Sequence, residues 1–220
     1  PESAGEVMKW VDSYTFTSGT SANTTGEWAV WHDFNKENEK ALHKAELLSG
    51  LPTLLLLFVA FGSAIAAGIP LVLAIAGIFS GWALLNLLSH VTPLSVWSMN
   101  FSMMIGLAVG IDYSLFLINR HRRQLKSGMD VQSSIGLAAG TSGNAITFAG
   151  MTVIIALVAL NLSGMSFLGL MGTMGALAIA LAVMLALTFM PAILSLVGFR
   201  VLSKKERANL ADSAPAQQDP

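Results

Sequence analysis

The chain has 220 residues, of which 54% are apolar and only 11% are charged, and its mean hydropathy is +0.64. Because about a quarter of the residues of a soluble domain are charged, this composition indicates an integral membrane protein. The formal net charge of −1 and two short basic patches do not indicate a nucleic-acid partner. The absence of cysteine from the sequence excludes a disulfide framework and a thiolate metal site.

Residues 1–46 have ordinary polarity and are predicted to be the end of a small α/β domain. Apolar residues recur at helical spacing over residues 7–14, which predicts a short amphipathic helix. Residues 15–26 are rich in Ser, Thr, Gly and Asn and are predicted to form a loop. Aromatic residues and Val over residues 27–34 predict a strand. Asn35 is then expected to cap a helix that runs into the membrane.

The rest of the chain contains five stretches long enough to cross a bilayer. No charged residue lies between Leu47 and Ser89. That length suits two spans, so we expect a break near Phe61, Gly62 and Ser63. The predicted fold class is an all-α membrane bundle of five transmembrane helices with the α/β remnant before it. The predicted segments are a transmembrane domain at 47–200, with spans at about 45–61, 66–88, 97–119, 140–160 and 167–199, and a disordered tail at 201–220.

Basic residues near span ends prefer the cytoplasmic side of a membrane. The two basic patches, at residues 120–130 and 200–220, are therefore predicted to be cytoplasmic. The connections at 90–95 and 161–166 carry no Lys or Arg and are predicted to lie outside. Counting back through the spans makes residues 1–46 extracytoplasmic.

Asp112 stands alone in an apolar run, since no other Asp, Glu, Lys or Arg lies between Leu47 and Asn119. Arg120 follows it after about 12 Å of helix rise, so Asp112 is expected within the hydrocarbon layer. An ionisable group at that depth is costly and indicates a function. Its carboxyl group can be neutral or charged, depending on which side's water reaches it. We interpret Asp112 and Tyr113 as a proton relay, with a structural hydrogen bond between spans as the alternative.

The face of the helix beside Asp112 carries Gly106, Gly110 and Tyr113. Two glycines one turn apart let another helix approach closely. Asp112 and Tyr113 are therefore expected to face two adjacent sectors of a helix bundle and not lipid.

Other polar residues in or near the spans are Asn100, Asn144 and Thr152. They can line a water path to Asp112 or bond neighbouring helices, and the second interpretation is favoured. No metal site, cofactor or enzymatic activity is predicted, because no nucleophile accompanies a base. The four histidines share no metal-ligand spacing and are expected at surfaces or interfaces, at positions His32, His43, His90 and His121.

Several segments resemble one family of membrane transporters. The segment GLAVGIDYSLFLINRHRRQL, residues 106–125, resembles the signature span of the mycobacterial membrane protein large family, within the resistance, nodulation and division superfamily. Asn100 matches an Asn near the start of that span. The sequence FGS with IAAGIPL is similar to the family's first membrane hairpin, and Gly143 with TFAGMTVIIALVAL to its next span. ALTFMPAILSLVG, residues 186–198, is similar to the end of the family's amino-terminal half.

The resemblance implies a transporter of two similar halves, of which this chain is the end of the first porter domain and the five following spans. Asp112 and Tyr113 match an Asp and a Tyr that pair with counterparts from the other half to pass protons. The expected partners are the carboxy-terminal half or a second copy, membrane lipids, protons and a hydrophobic substrate. Asn144 departs from the family's pattern, because an Arg is common there. The expected function is proton-motive-force-driven export of lipids or other hydrophobic compounds across the plasma membrane.

A second function class remains open from the sequence. The same five spans suit a non-transporting membrane module, either sterol-sensing-like or a secretion-accessory subunit, that binds a lipid or a protein partner.

Overall fold

A computed structural model describes residues 2–13, 25–90 and 96–213 of the chain. Within these ranges the chain forms α-helices and short 3₁₀ turns, and no strand occurs there. The chain divides into two compact units, Pro1–Leu56 and Leu57–Pro220, each described by itself. The helices are α1 (Glu2–Ser13), α2 (Glu27–Phe61), α3 (Ala64–Ser89), α4 (Val96–Lys126), α5 (Val131–Val158), α6 (Ser166–Val197) and α7 (Lys204–Ser213).

The strand predicted at residues 27–34 is wrong, because these residues form the start of α2. The helix begins with the Val30 N–H donating to the Gly26 carbonyl at 3.1 Å. Trp31 and Phe34, three residues apart on one helical face, then pack edge to face with ring centroids 6.1 Å apart. Aromatic residues favour strands only where a neighbouring strand packs against them. The described residues offer none, and residues 15–24 of the predicted loop lie outside them.

Within the described ranges, five helices are long and apolar enough to cross a membrane, as the sequence predicts. Many of their large apolar side chains point outward, among them Phe148 at 76% and Leu196 at 87% exposure. Such continuous apolar surfaces are stable in a lipid surrounding and not in water.

The break between the first two spans is confirmed at Gly62 and Ser63. α2 ends at Phe61, and Gly62 adopts a φ of +59°, which glycine tolerates without a Cβ clash. The Ser63 hydroxyl then caps α3 by accepting from the Ala66 N–H at 3.4 Å.

α4 and α5 both extend past their predicted apolar cores. α4 continues to Lys126, and α5 begins at Val131, where the Asp130 carboxylate caps it by accepting from the Ser133 N–H at 2.9 Å. Residues 91–95, within the predicted outer connection, lie outside the described residues.

α6 is the central helix of the second unit and packs against α3, α4 and α5. Two glycines permit the closest contacts. A Cβ atom at Gly150 of α5 would overlap the Val183 side chain, and one at Gly172 of α6 would overlap the Leu157 carbonyl oxygen. These helices therefore approach at distances that only glycine allows.

The prediction of a disordered tail from residue 201 is wrong for residues 201–213, which form a folded segment that includes α7. Val201 and Leu202 are fully buried in the core of the second unit. Ser203 and Glu206 then form a capping box: the Glu206 N–H donates to the Ser203 hydroxyl at 3.3 Å, and the Ser203 N–H donates to the Glu206 carboxylate at 2.8 Å. Residues 214–220 of the predicted tail lie outside the described residues.

Candidate functional site

α4 has a buried face and an exposed face along its whole length. The buried face includes Ser102, Gly110, Ser114 and Leu117, which pack inside the second unit. The exposed face is a stripe at intervals of three and four residues, formed by Met104, Ala108, Asp112, Phe116, Asn119, Arg120 and Arg123. Asp112 is the acidic group of this stripe.

The Asp112 side chain is exposed, so no helix of the described chain covers it. It makes no hydrogen bond or ion pair with another described residue. Arg120 lies eight residues further along the same helix, or about 12 Å of rise. Asp112 is thus an unpartnered carboxyl group on the outer surface of an apolar bundle, about two turns inside its basic end.

Tyr113 lies at the boundary between the two faces, partly buried against the core. Its hydroxyl is 3.6 Å from the position that a Cβ atom at Gly150 would occupy, so it lies beside the contact of α5 with α6. No hydrogen bond joins the Tyr113 hydroxyl to another residue in the described ranges. The role of Gly150 was not predicted from the sequence, although a glycine within an apolar helix is itself a signal of close helix packing.

Gly106 and Gly110 lie against α6, on the face that leads to Tyr113. A Cβ atom at Gly106 would stand 3.2 Å from the Ala178 Cβ, and one at Gly110 would stand 4.0 Å from the Ala182 Cβ. Small residues therefore face each other across the contact of α4 with α6.

The remaining predicted polar residues lie on two helices. Asn100 is half-buried on α4, whereas Asn144 and Thr152 are exposed on α5. The Thr152 hydroxyl donates to the Phe148 carbonyl at 2.8 Å, one turn back on its own helix. Neither Asn side chain is hydrogen-bonded to another described residue. A water path through these residues stays a prediction.

A second polar centre, not predicted from the sequence, surrounds Arg122. Only 6% of this residue is exposed. Its Nη2 donates to the Phe61 carbonyl at 2.6 Å and to the Glu206 carboxylate at 2.9 and 3.2 Å. Lys126 also pairs with Glu206. These contacts place the end of α2, the end of α4 and the start of α7 at one end of the bundle.

Glu206 is a charged carboxylate held by several donors. Burial alone raises the pKa of Glu206, but hydrogen bonds from Lys126, the Ser203 N–H and Arg122 outweigh it and lower the pKa to about 2. The spacing of Ser203 and Glu206 in SKKE is a readable capping signal. Nothing in the sequence links Glu206 to Arg122, because the two lie on separate helices.

His121 was expected at a surface or interface and is instead fully buried. Its Nδ1 lies 2.9 Å from the Ser134 hydroxyl of α5, so the ring helps to join α4 to α5. Across the described part of the chain, no three His, Cys, Asp or Glu side chains come together in a way that could hold a metal ion.

Five apolar helices with outward apolar surfaces define a multi-pass membrane protein. The profile of the MMPL family matches residues 1–213, and the chain belongs to that family.

Three relatives illustrate the similarity. Membrane protein YdfJ of Bacillus subtilis is 36% identical over 163 residues, which are 74% of this chain and 22% of YdfJ. Mycolic acid-containing lipids exporter MmpL11 of Mycolicibacterium smegmatis is 37% identical over 165 residues, 75% of this chain and 17% of MmpL11. Trehalose monomycolate exporter MmpL3 of the same species is 29% identical over 145 residues, 66% of this chain and 14% of MmpL3. The chain thus spans about a fifth of the length of such relatives.

Proposed function

We propose that this chain is the membrane part of one half of a proton-driven exporter in the plasma membrane, and that Asp112 and Tyr113 carry its protons. The cargo class is lipids or other hydrophobic compounds. Residues 1–46 are then extracytoplasmic, and the basic segments at 120–130 and 200–220 are cytoplasmic, following the preference of Lys and Arg for that side.

The observation that carries this proposal is the unpartnered Asp112 on the exposed stripe of α4. A carboxylate at membrane depth is too costly to face lipid, so it must face water or another protein surface. On the side of Asp112 away from the basic end, the stripe is apolar and exposed at Met104 and Ala108, with Met104 at 62% exposure. An apolar helix face that ends at one acid suits a contact with a second helix bundle, across which protons reach Asp112.

Movement of α4 can follow from the charge on Asp112. When the carboxyl group is neutral it tolerates a dry contact, and when it is charged it favours water or a hydrogen-bond donor. The Tyr113 hydroxyl, which no described residue engages, can donate to an acid on the partner bundle. At one point of their contact, α4 and α6 meet through two small residues, Gly106 and Ala178. A change of charge can therefore shift α4 between two packings.

The cargo class is supported by the names of two relatives. MmpL11 of Mycolicibacterium smegmatis is named as an exporter of mycolic acid-containing lipids, and MmpL3 as an exporter of trehalose monomycolate. We infer a hydrophobic cargo for this chain from that shared chemistry alone.

The proposal is tested by export of the native cargo from cells that carry Asp112→Asn in the full-length protein. Export is expected to be lost, with insertion and abundance unchanged, because an amide cannot exchange a proton. Asp130→Asn is the matched control: Asn caps a helix as well as Asp does, so α5 and export should be preserved. Undiminished export by the Asp112→Asn protein would exclude the relay.

A further inference from the structure

A large open cleft lies at the basic end of the bundle, and its lining on α4 begins at Phe116, about 6 Å of helix rise from Asp112. Its volume is about 800 Å³, and its walls are formed by the ends of α2 and α4, the start of α7, and α5. Asp112 and Tyr113, the residues of the proposed proton relay, do not line this cleft.

The charge of the cleft is strongly positive. Four cationic side chains line it, against one carboxylate, that of Glu206, which leaves a formal excess of three positive charges. Glu206 already engages two of the four, Arg122 and Lys126. The other two, Arg120 and Arg123, are exposed and have no ion-pair partner within the described residues. Two guanidinium groups are thus free to bind an anion.

Part of the lining is apolar. It includes Val59, which is 78% exposed, and Phe116, which is 52% exposed. Asn119 stands between Phe116 and Arg120 on the exposed stripe of α4 and adds an amide. A site that combines two free guanidinium groups with exposed apolar side chains matches the two chemical parts of a phospholipid, its phosphate and the start of its acyl chains.

We propose that this cleft binds the phosphate headgroup of an anionic membrane lipid, through Arg120 and Arg123. Guanidinium groups bind phosphate oxygens in a bidentate manner, which a surface lysine does not. A lipid, and not a soluble phosphate, is the occupant that uses Val59 and Phe116, because both are exposed apolar side chains that line the same cleft as the two arginines. Anionic lipids are concentrated in the cytoplasmic leaflet, the side on which basic residues are expected.

The test measures lipids retained by the full-length protein in detergent, by native mass spectrometry, after incubation with equal amounts of phosphatidylglycerol and phosphatidylcholine of the same acyl chains. The double variant Arg120→Gln with Arg123→Gln is compared with Lys204→Gln and Lys205→Gln. Both double variants remove two positive charges. Lys204 and Lys205 are exposed on α7 and do not line the cleft. None of the four side chains has an ion-pair partner in the described ranges, so folding should be preserved.

The native protein is expected to retain phosphatidylglycerol over phosphatidylcholine. Loss of both arginines should weaken retention of phosphatidylglycerol roughly 10- to 30-fold, whereas loss of both lysines should change it less than about twofold. Equal retention of the two lipids, or equal losses in the two double variants, would overturn the proposal. Inorganic phosphate that displaces phosphatidylglycerol at equal concentration would also overturn it, since the cleft would then bind soluble anions.

Discussion

The guanidinium group of Arg122 contacts the last turn of α2 through both the backbone carbonyl and the aromatic ring of Phe61. It donates to the Phe61 backbone carbonyl at 2.6 Å and lies over the Phe61 ring, 5.0 Å from its centroid. The carbonyls of a helix's last turn have no partner within the helix, so an arginine from another helix satisfies one of them here. The contact also fixes the turn at Gly62 to the basic end of α4.

Replacement of Arg122 by lysine is expected to destabilise the full-length protein although the charge is kept. Lysine lacks the planar guanidinium that lies over the Phe61 ring, and its shorter side chain does not place a donor nitrogen where Nη2 contacts the Phe61 carbonyl and the Glu206 carboxylate. The expected loss is about 1–3 kcal/mol, measured as a lower Tm in detergent. Arg123→Lys is the matched control, because Arg123 is exposed and has no ion-pair partner among described residues. Equal Tm values for the two variants would show that the contact has no structural role.

Replacement of Glu206 by glutamine tests whether the negative charge of Glu206 stabilises the protein. The variant keeps the N-terminal cap of α7, since Gln also serves in a capping box. The Tm should fall, because Arg122, whose side chain is 7% exposed, loses its anionic partner. Glu37→Gln is the control and should leave Tm unchanged, because the Glu37 and Lys40 side chains are 70% and 62% exposed.

The effect of Glu206→Gln should also depend on pH. Because the pKa of Glu206 is lowered from 4.5 to about 2, its charge contributes fully to stability above pH 4.5, and this contribution is lost as pH falls toward about 2. The difference in Tm between the native protein and the variant should shrink through that window. A difference that is constant down to about pH 3 would contradict the assigned pKa.

Gly150→Ala should disturb the contact of α5 with α6, because the added Cβ overlaps Val183. Overpacking of this kind costs about 1–3 kcal/mol and should lower Tm. Val183→Ala in the same protein should restore much of the loss by removing the overlapping atoms. Gly140→Ala, on the same helix, is the control, since nothing lies within 4 Å of its added Cβ. If Gly140→Ala were as harmful as Gly150→Ala, packing against Val183 would not be the cause.

The spans and their first turn could be predicted because each depends on local sequence. The uncharged run from Leu47 to Ser89 is too long for one span, and Gly62 with Ser63 supplies a residue that adopts positive φ and then a cap. Asp112 could be singled out for the same reason, since a lone acid in an apolar run is visible without a structure.

The features that could not be predicted depend on contacts between distant residues. Glu206 and Arg122 meet because the first turn of α7 lies beside the end of α4, and the composition of residues 201–220 gives no sign of that. His121 stands among the basic residues Arg120, Arg122 and Arg123, which predicts an exposed side chain, yet its ring is buried against Ser134. Residues 27–34 have aromatic residues that suit either a strand or a helix, and they form the start of α2.

The central claim is that Asp112 carries protons, and proton flux in proteoliposomes tests it most directly. The full-length protein is reconstituted with a pH-sensitive dye inside, a pH gradient is applied, and cargo-dependent proton movement is recorded. The native protein and Asp130→Asn should move protons at similar rates, and Asp112→Asn should reduce the rate to that of empty liposomes. Proton movement by the Asp112→Asn protein at the native rate would contradict the account.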